Sequence, residues 1–126
     1  MKLEHLALNV PDSKAMTDWY RDVLGMPIHV ERFEPIHCAF LGEPPTLIEL
    51  YSNPAAPCLS LSEIAPLSLH LALESEDLQT DLARLVDAGA VHLEGEADDD
   101  GYGLIFLRCP WGLGLQLCKR ETPLVK

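Results

Sequence analysis

The sequence predicts an α+β fold made of two paired βαβββ modules, and three observations carry that expectation. The tetrapeptide HLAL occurs twice, at residues 5–8 and 70–73, inside the longer stretches LEHLALNVPDS and SLHLALESED. Each copy alternates with the period of a strand and is followed by a segment of helical spacing that stops at a glycine. Three short apolar runs with strand character then follow each helix. A module of roughly 55 to 60 residues buries too little apolar surface to stand alone, so the two are expected to pair within one domain.

In the first half, KLEHLALNV reads as a strand with Leu6, Leu8 and Val10 out of phase with His5, Ala7 and Asn9. A helix is expected from about Asp12 to Leu24, with Ala15, Met16, Trp19, Tyr20, Val23 and Leu24 at helical spacing and Gly25 as its stop. PIHVERF, HCAFLG and TLIELYS are the three strand candidates, punctuated by Pro35 and by Pro44-Pro45. NPAAPCLSLSEIAP has three prolines and no period, and reads as a connector. LSLHLALES restarts the pattern, with Leu69, Leu71 and Leu73 opposite Ser68, His70 and Ala72. The second helix is expected from about Glu76 to Ala88, apolar at Leu78, Leu82, Leu85 and Val86 and stopped by Gly89. AVHLEG, GLIFLRC and LGLQLCK close the half. The expected organisation is a single domain over 1–126, with module one at about 1–52, the connector at 53–66 and module two at about 67–120. The acidic run GEADDDGYG lacks the ligand spacing of an EF-hand and reads as a solvated loop.

Composition narrows the function classes. Apolar residues make up 48% of the chain and charged residues 23%, the balance of an ordinary soluble protein. No apolar run reaches the roughly 20 residues of a membrane span, and MKLEHLALNVPDSK has no signal-peptide core, so a cytoplasmic protein is expected. The formal net charge of −11 repels nucleic acid and anionic membranes, which leaves a small molecule as the expected partner. The cysteines Cys38, Cys58, Cys109 and Cys118 show no CxxC spacing and are expected to be free thiols.

Strand alternation then sorts the polar residues. His5 and His70 lie on the face opposite the leucines of their strands. Glu49 in LIELYS and Gln116 in LGLQLCK are likewise out of phase with their apolar neighbours. If the modules pair about a pseudo-twofold, one histidine and one carboxylate or carboxamide from each half can converge. Two imidazoles and two oxygen donors suit one divalent cation such as Zn, Ni, Co, Mn or Fe, with coordination positions left for a substrate. The same four residues are also compatible with satisfied histidines and a wet sheet face, and alternation does not separate the two.

The arrangement resembles the vicinal oxygen chelate superfamily, which includes glyoxalase I, methylmalonyl-CoA epimerase, extradiol dioxygenases and the fosfomycin and bleomycin resistance proteins. The resemblance covers almost the whole chain. HLALNVPDSKAMTDWYRDVLGMPI is similar to the opening strand and helix, LIELYS and LHLALESEDL to ligand-bearing strands, and LIFLRCPWGLGLQL to the closing stretch. It implies a curved mixed sheet around a cleft, a homodimer and metal ligands at His5, Glu49, His70 and Gln116. The implied activity is a glyoxalase-type, lactoylglutathione lyase-like isomerase or lyase with enediolate-like proton transfer, in which Glu49 is the catalytic base.

Two departures stand out. Gln116 occupies a slot usually held by glutamate, and the family's DPDG is here Cys109-Pro110-Trp111-Gly112. Glutamine can offer a carbonyl oxygen to a metal but cannot take a substrate proton at neutral pH. Arg32 and Arg108 are candidates for an anionic substrate. One alternative is a metal-free small-molecule binder of the bleomycin-resistance kind, with Tyr51, Tyr102 or Trp111 in its cleft. Another is a ring-cleaving Fe(II) dioxygenase built on His5, His70 and Glu49, although there the carboxylate sits in the wrong slot.

Overall fold

A computed structural model of the chain describes residues 1–125. Contacts divide it into two compact units that meet in sequence between Leu59 and Ser60, and each unit is built on the same plan.

In the first unit β1 (His5–Asn9) leads into α1 (Ser13–Asp22), followed by β2 (Ile28–Arg32), β3 (Cys38–Leu41) and β4 (Leu47–Tyr51). The sheet order is β1-β4-β3-β2, with β1 parallel to β4 and the other pairs antiparallel. The helix therefore carries the chain from one sheet edge to the other, and two hairpins bring it back beside its start. Its first turn is capped by Asp12, whose carboxylate accepts from the backbone N–H of Ala15 at 3.1 Å. Met16 and Tyr20 are fully buried, each contributing about 1.5–3 kcal/mol of transfer free energy. Replacing Asp12 by alanine is expected to cost about 1 kcal/mol, read as a lower urea midpoint with an unchanged slope.

The second unit repeats the order with β5 (His70–Glu74), α2 (Leu78–Asp87), β6 (Val91–Glu94), β7 (Gly103–Arg108) and β8 (Gly114–Lys119), in a sheet ordered β5-β8-β7-β6. Asp77 caps α2 as Asp12 caps α1. Every predicted element is present, within a few residues at each end. The connector also contains a single 3-10 turn at Leu61–Glu63 that its prolines did not announce. The fold is α+β, with one four-stranded mixed sheet and one helix per unit.

Two details of burial differ from the pattern. The apolar phase of β1 predicts Leu6 and Leu8 as equivalent, yet Leu8 is buried and Leu6 is 44% exposed. The cause is that α1 packs on β3 and β4 and leaves the edge strand uncovered at its start. In α2, Leu78 and Leu85 are buried whereas Val86 is exposed. The acidic run is a self-bonded loop, in which the Asp98 side chain accepts from the backbone N–H groups of Asp100 and Tyr102, both at 2.9 Å. No disulfide joins the four cysteines among the described residues, with Cys109 buried and Cys58 exposed. Among the described residues no helix is long and apolar enough to cross a membrane.

Candidate metal-binding site

Register places the donors. His5 stands opposite Leu47 and Ala7 opposite Glu49, so His5 and Glu49 are diagonal neighbours on one face of the first sheet. His70 stands opposite Gly114 and Ala72 opposite Gln116, which makes the same diagonal in the second. In both copies of HLAL the alanine directly faces the oxygen donor on the next strand. An aromatic ring completes each set. Phe40 pairs with Glu49 and meets the His5 ring edge-on, with centroids 5.2 Å apart at 84°. Phe106 pairs with Gln116 and meets the His70 ring at 5.2 Å and 89°.

The protonation of the imidazoles follows from their partners. His5 Nδ1 lies 2.9 Å from Glu4 Oε1, and His70 Nδ1 lies 2.6 Å from the carbonyl oxygen of Pro66. An ionised carboxylate and a carbonyl can only accept, so each Nδ1 carries the hydrogen. In the neutral ring each Nε2 then presents a lone pair. His5 Nε2 is 3.8 Å from Glu49 Oε1, beyond hydrogen-bond reach. Two donors each about 2.1 Å from one ion can be at most about 4.2 Å apart, and this pair meets that limit. Holding one ring nitrogen with an oxygen acceptor is also how metal-binding histidines are oriented.

In the second unit Gln116 is only 7% exposed, yet no hydrogen bond engages its carboxamide among the described residues. His70 Nε2 is likewise unengaged. The donors thus fit a divalent cation in type and state, and they come as one imidazole plus one oxygen per unit. Among the described residues no three His, Cys, Asp or Glu side chains form a group able to hold a metal.

The predicted anion-binding arginines fare differently. Arg108 Nη1 donates to the carbonyl oxygens of Leu61, Ile64 and Gly112 at 3.3, 3.0 and 2.8 Å, so it fastens the 3-10 turn to the β7–β8 turn. Arg32 is exposed. Sequence reasoning did not single out Phe40, Phe106, Glu4 or the Pro66 carbonyl. The parallel runs AFL at 39–41 and IFL at 105–107 were the available signal for the two rings. A further cluster joins Ser13 Oγ to His37 Nδ1 at 2.6 Å and His37 Nε2 to Glu31 Oε2 at 2.8 Å. Ser13 is 1% exposed, so this chain of bonds ties α1 to its sheet and offers no reachable nucleophile.

Comparison with known proteins gives the lineage. The family model described as Glyoxalase/Bleomycin resistance protein/Dioxygenase superfamily matches residues 2–117. The chain is 33% identical over 97 residues, covering 71% of this chain and 72% of the relative, to an ethylmalonyl-CoA/methylmalonyl-CoA epimerase of Cereibacter sphaeroides. A glyoxalase family protein from Enterococcus faecalis superposes with a TM-score of 0.68 at 25% identity, over 94% of this chain and 97% of that one. The trypanothione-dependent glyoxalase I of Leishmania major superposes at 0.74 and 22% identity, over 94% and 86%, and so shares the fold. With nearly the whole chain matched by the family model, this protein belongs to the glyoxalase/bleomycin resistance protein/dioxygenase superfamily.

Proposed function

We propose that this protein is a metal-dependent isomerase or lyase in which His5, Glu49, His70 and Gln116 hold one divalent cation and Glu49 carries the proton. The observation that best supports this is the matched state of the two imidazoles, each with Nδ1–H spent on an oxygen and Nε2 open beside an oxygen donor's strand. A bound Zn, Ni, Co, Mn or Fe cation supplies Lewis-acid polarisation of a substrate carbonyl, which acidifies the neighbouring C–H. Glu49 is the one ionisable carboxylate of the four, and it lies on the same face as His5 with Ala7 opposite it. It takes the proton from one carbon and returns it to the next.

The number of proton carriers separates the reactions found among relatives. Epimerisation returns the proton to the opposite face of the same carbon and calls for a second acid beyond the first base. A shift between neighbouring carbons on one face needs only one group. With Gln116 in place of a second carboxylate, the one-carrier shift is favoured for this chain, even though its curated relative is named an epimerase. The substrate is a small molecule with two adjacent oxygens.

Elemental analysis of the purified protein, before and after chelation, tests the reading. About one equivalent of a divalent metal per chain is expected, with affinity reduced tenfold or more in His5→Ala and in His70→Ala. Unchanged metal content in either folded variant overturns the ligand assignment. Failure of the wild type to take up any metal favours a metal-free binder instead. Mixing the two variants asks where the halves meet. Recovery of metal binding in the mixture requires a homodimer that shares its sites, and no recovery assigns each site to a single chain.

A further inference from the structure

The two units differ at one corner of the face that carries the histidines. In the first, Asn9 pairs with Tyr51 at the end of β1 and is buried. Its Nδ2 donates to the carbonyl oxygens of Asn53 and Ala56 at 3.0 and 2.9 Å, while its Oδ1 accepts from the Asn53 N–H at 2.8 Å. Those bonds draw residues 53–57 over the corner and close it. In the second unit the matching positions are Glu74, paired with Cys118, and Arg120. The Glu74 and Arg120 side chains make no hydrogen bond or ion pair among the described residues. The corner is an open pocket of about 350 Å³, lined by Ala72, Glu74, Cys118, Arg120 and the apolar stretch Pro123–Val125.

We infer that this pocket is a subsite for a small organic monoanion with an apolar body, its carboxylate held by Arg120. The inference rests on the proposed function in one respect, that this face of the second sheet is the substrate face. Ala72 and Cys118 share the phase of His70 and Gln116 along β5 and β8. Arg120 lies four residues beyond Gln116, ~13 Å along the strand direction at about 3.3 Å per residue. A ligand held by the guanidinium therefore occupies the far end of the face that carries His70 and Gln116.

Chemistry selects an anion over a cation, although Glu74 shares the rim. A guanidinium is weakly hydrated and its planar fork matches a carboxylate through two parallel bonds. The carboxylate of Glu74 is strongly solvated by comparison and opposes a second negative charge on the ligand. Leu124 and Val125 are largely exposed beside Arg120 and offer the apolar body of a ligand a surface to cover. The volume lies near the lower end of the roughly 300–1,000 Å³ of small-molecule pockets, so a short-chain acid suits it better than a nucleotide.

The test uses octanoate, 1-octanol and octylamine as probes of chelator-treated protein, with titration calorimetry for affinity and methyl NMR shifts of Ala72, Leu124 and Val125 for location. Octanoate is expected to bind about tenfold or more tighter than octanol, to shift those methyls, and to lose that advantage in Arg120→Gln. Glu74→Gln should tighten octanoate binding. Equal binding of acid and alcohol, unchanged affinity in Arg120→Gln, or tighter binding of octylamine overturns the assignment. Because the titration is done without metal, the two readings fail separately. A protein that prefers octanoate through Arg120 but never takes up metal keeps the subsite and loses the metal-dependent reaction. One that binds metal but ignores octanoate does the reverse.

Discussion

Glu49→Gln is expected to leave the fold intact, weaken metal binding modestly and lower turnover by roughly 10²- to 10⁴-fold, the usual worth of a positioned general base. The substitution keeps shape and a carbonyl oxygen for the cation but removes the site's one proton acceptor. It also reproduces at the first module what Gln116 already is at the second, so the variant would carry two equivalent, proton-inert halves. Glu49 sits diagonal to His5 with Ala7 opposite it, and among the described residues its side chain makes no hydrogen bond. Stability should therefore change little. The check is a thermal melt and a metal titration beside a measurement of solvent-deuterium incorporation into turned-over substrate. Deuterium incorporation at the wild-type rate in the variant would remove Glu49 from the proton-transfer role, whatever the metal content.

Gly112→Ala is expected to destabilise the protein by about 2–4 kcal/mol, a fall in melting temperature of roughly 10 °C or more. Gly112 closes the turn that stands where the family has DPDG. Its N–H donates to the Cys109 carbonyl at 2.8 Å, and Cys109 in turn donates to the carbonyl of Leu113 at 2.9 Å. With φ at +96°, an added Cβ would lie 2.7 Å from the backbone nitrogen of Ser62 and 2.8 Å from its Cα. Both atoms belong to the 3-10 turn that Arg108 fastens in place, so neither yields cheaply. Gly101→Ala is the control: φ is +86° there too, but no heavy atom stands within 4 Å of the added carbon. Its cost should be about 1 kcal/mol, from backbone conformation alone. Urea titrations of the two variants separate close approach from dihedral strain. Equal losses would mean that the contact with Ser62 contributes nothing. Because β8 begins two residues after Gly112, its variant should also loosen Gln116 and weaken metal binding.

The repeat was legible because it is written in local terms. HLAL recurs with its strand period and each helix ends at a glycine, so element type and order needed no tertiary information. Period-two alternation likewise put His5, Glu49, His70 and Gln116 opposite the leucines of their strands. The diagonal between donors in each unit agrees with that phase. Arg108 shows where the reading stopped. As a lone cation near the closing motif it resembled an anion-binding group, and nothing local reveals that the carbonyls of Leu61 and Ile64, 47 and 44 residues away, meet its Nη1. Arg120 was passed over for the complementary reason, since a pocket is made by what neighbouring segments leave empty.

By itself, then, the sequence determined the α+β class, the doubled module and the order of its strands and helices, and it singled out four candidate metal ligands. Those properties follow from spacing along the chain, and spacing survives without a fold. Only the tertiary structure decided which leucines the helices cover, which oxygen each imidazole Nδ1 meets, and which corner of that face stays open. These depend on groups far apart in sequence: Pro66 beside His70, Asn53 beside Asn9, Ser62 against Gly112. The hydrogen-bond and van der Waals forces that place them act over a few ångströms. They therefore exist only once the chain has brought the partners together.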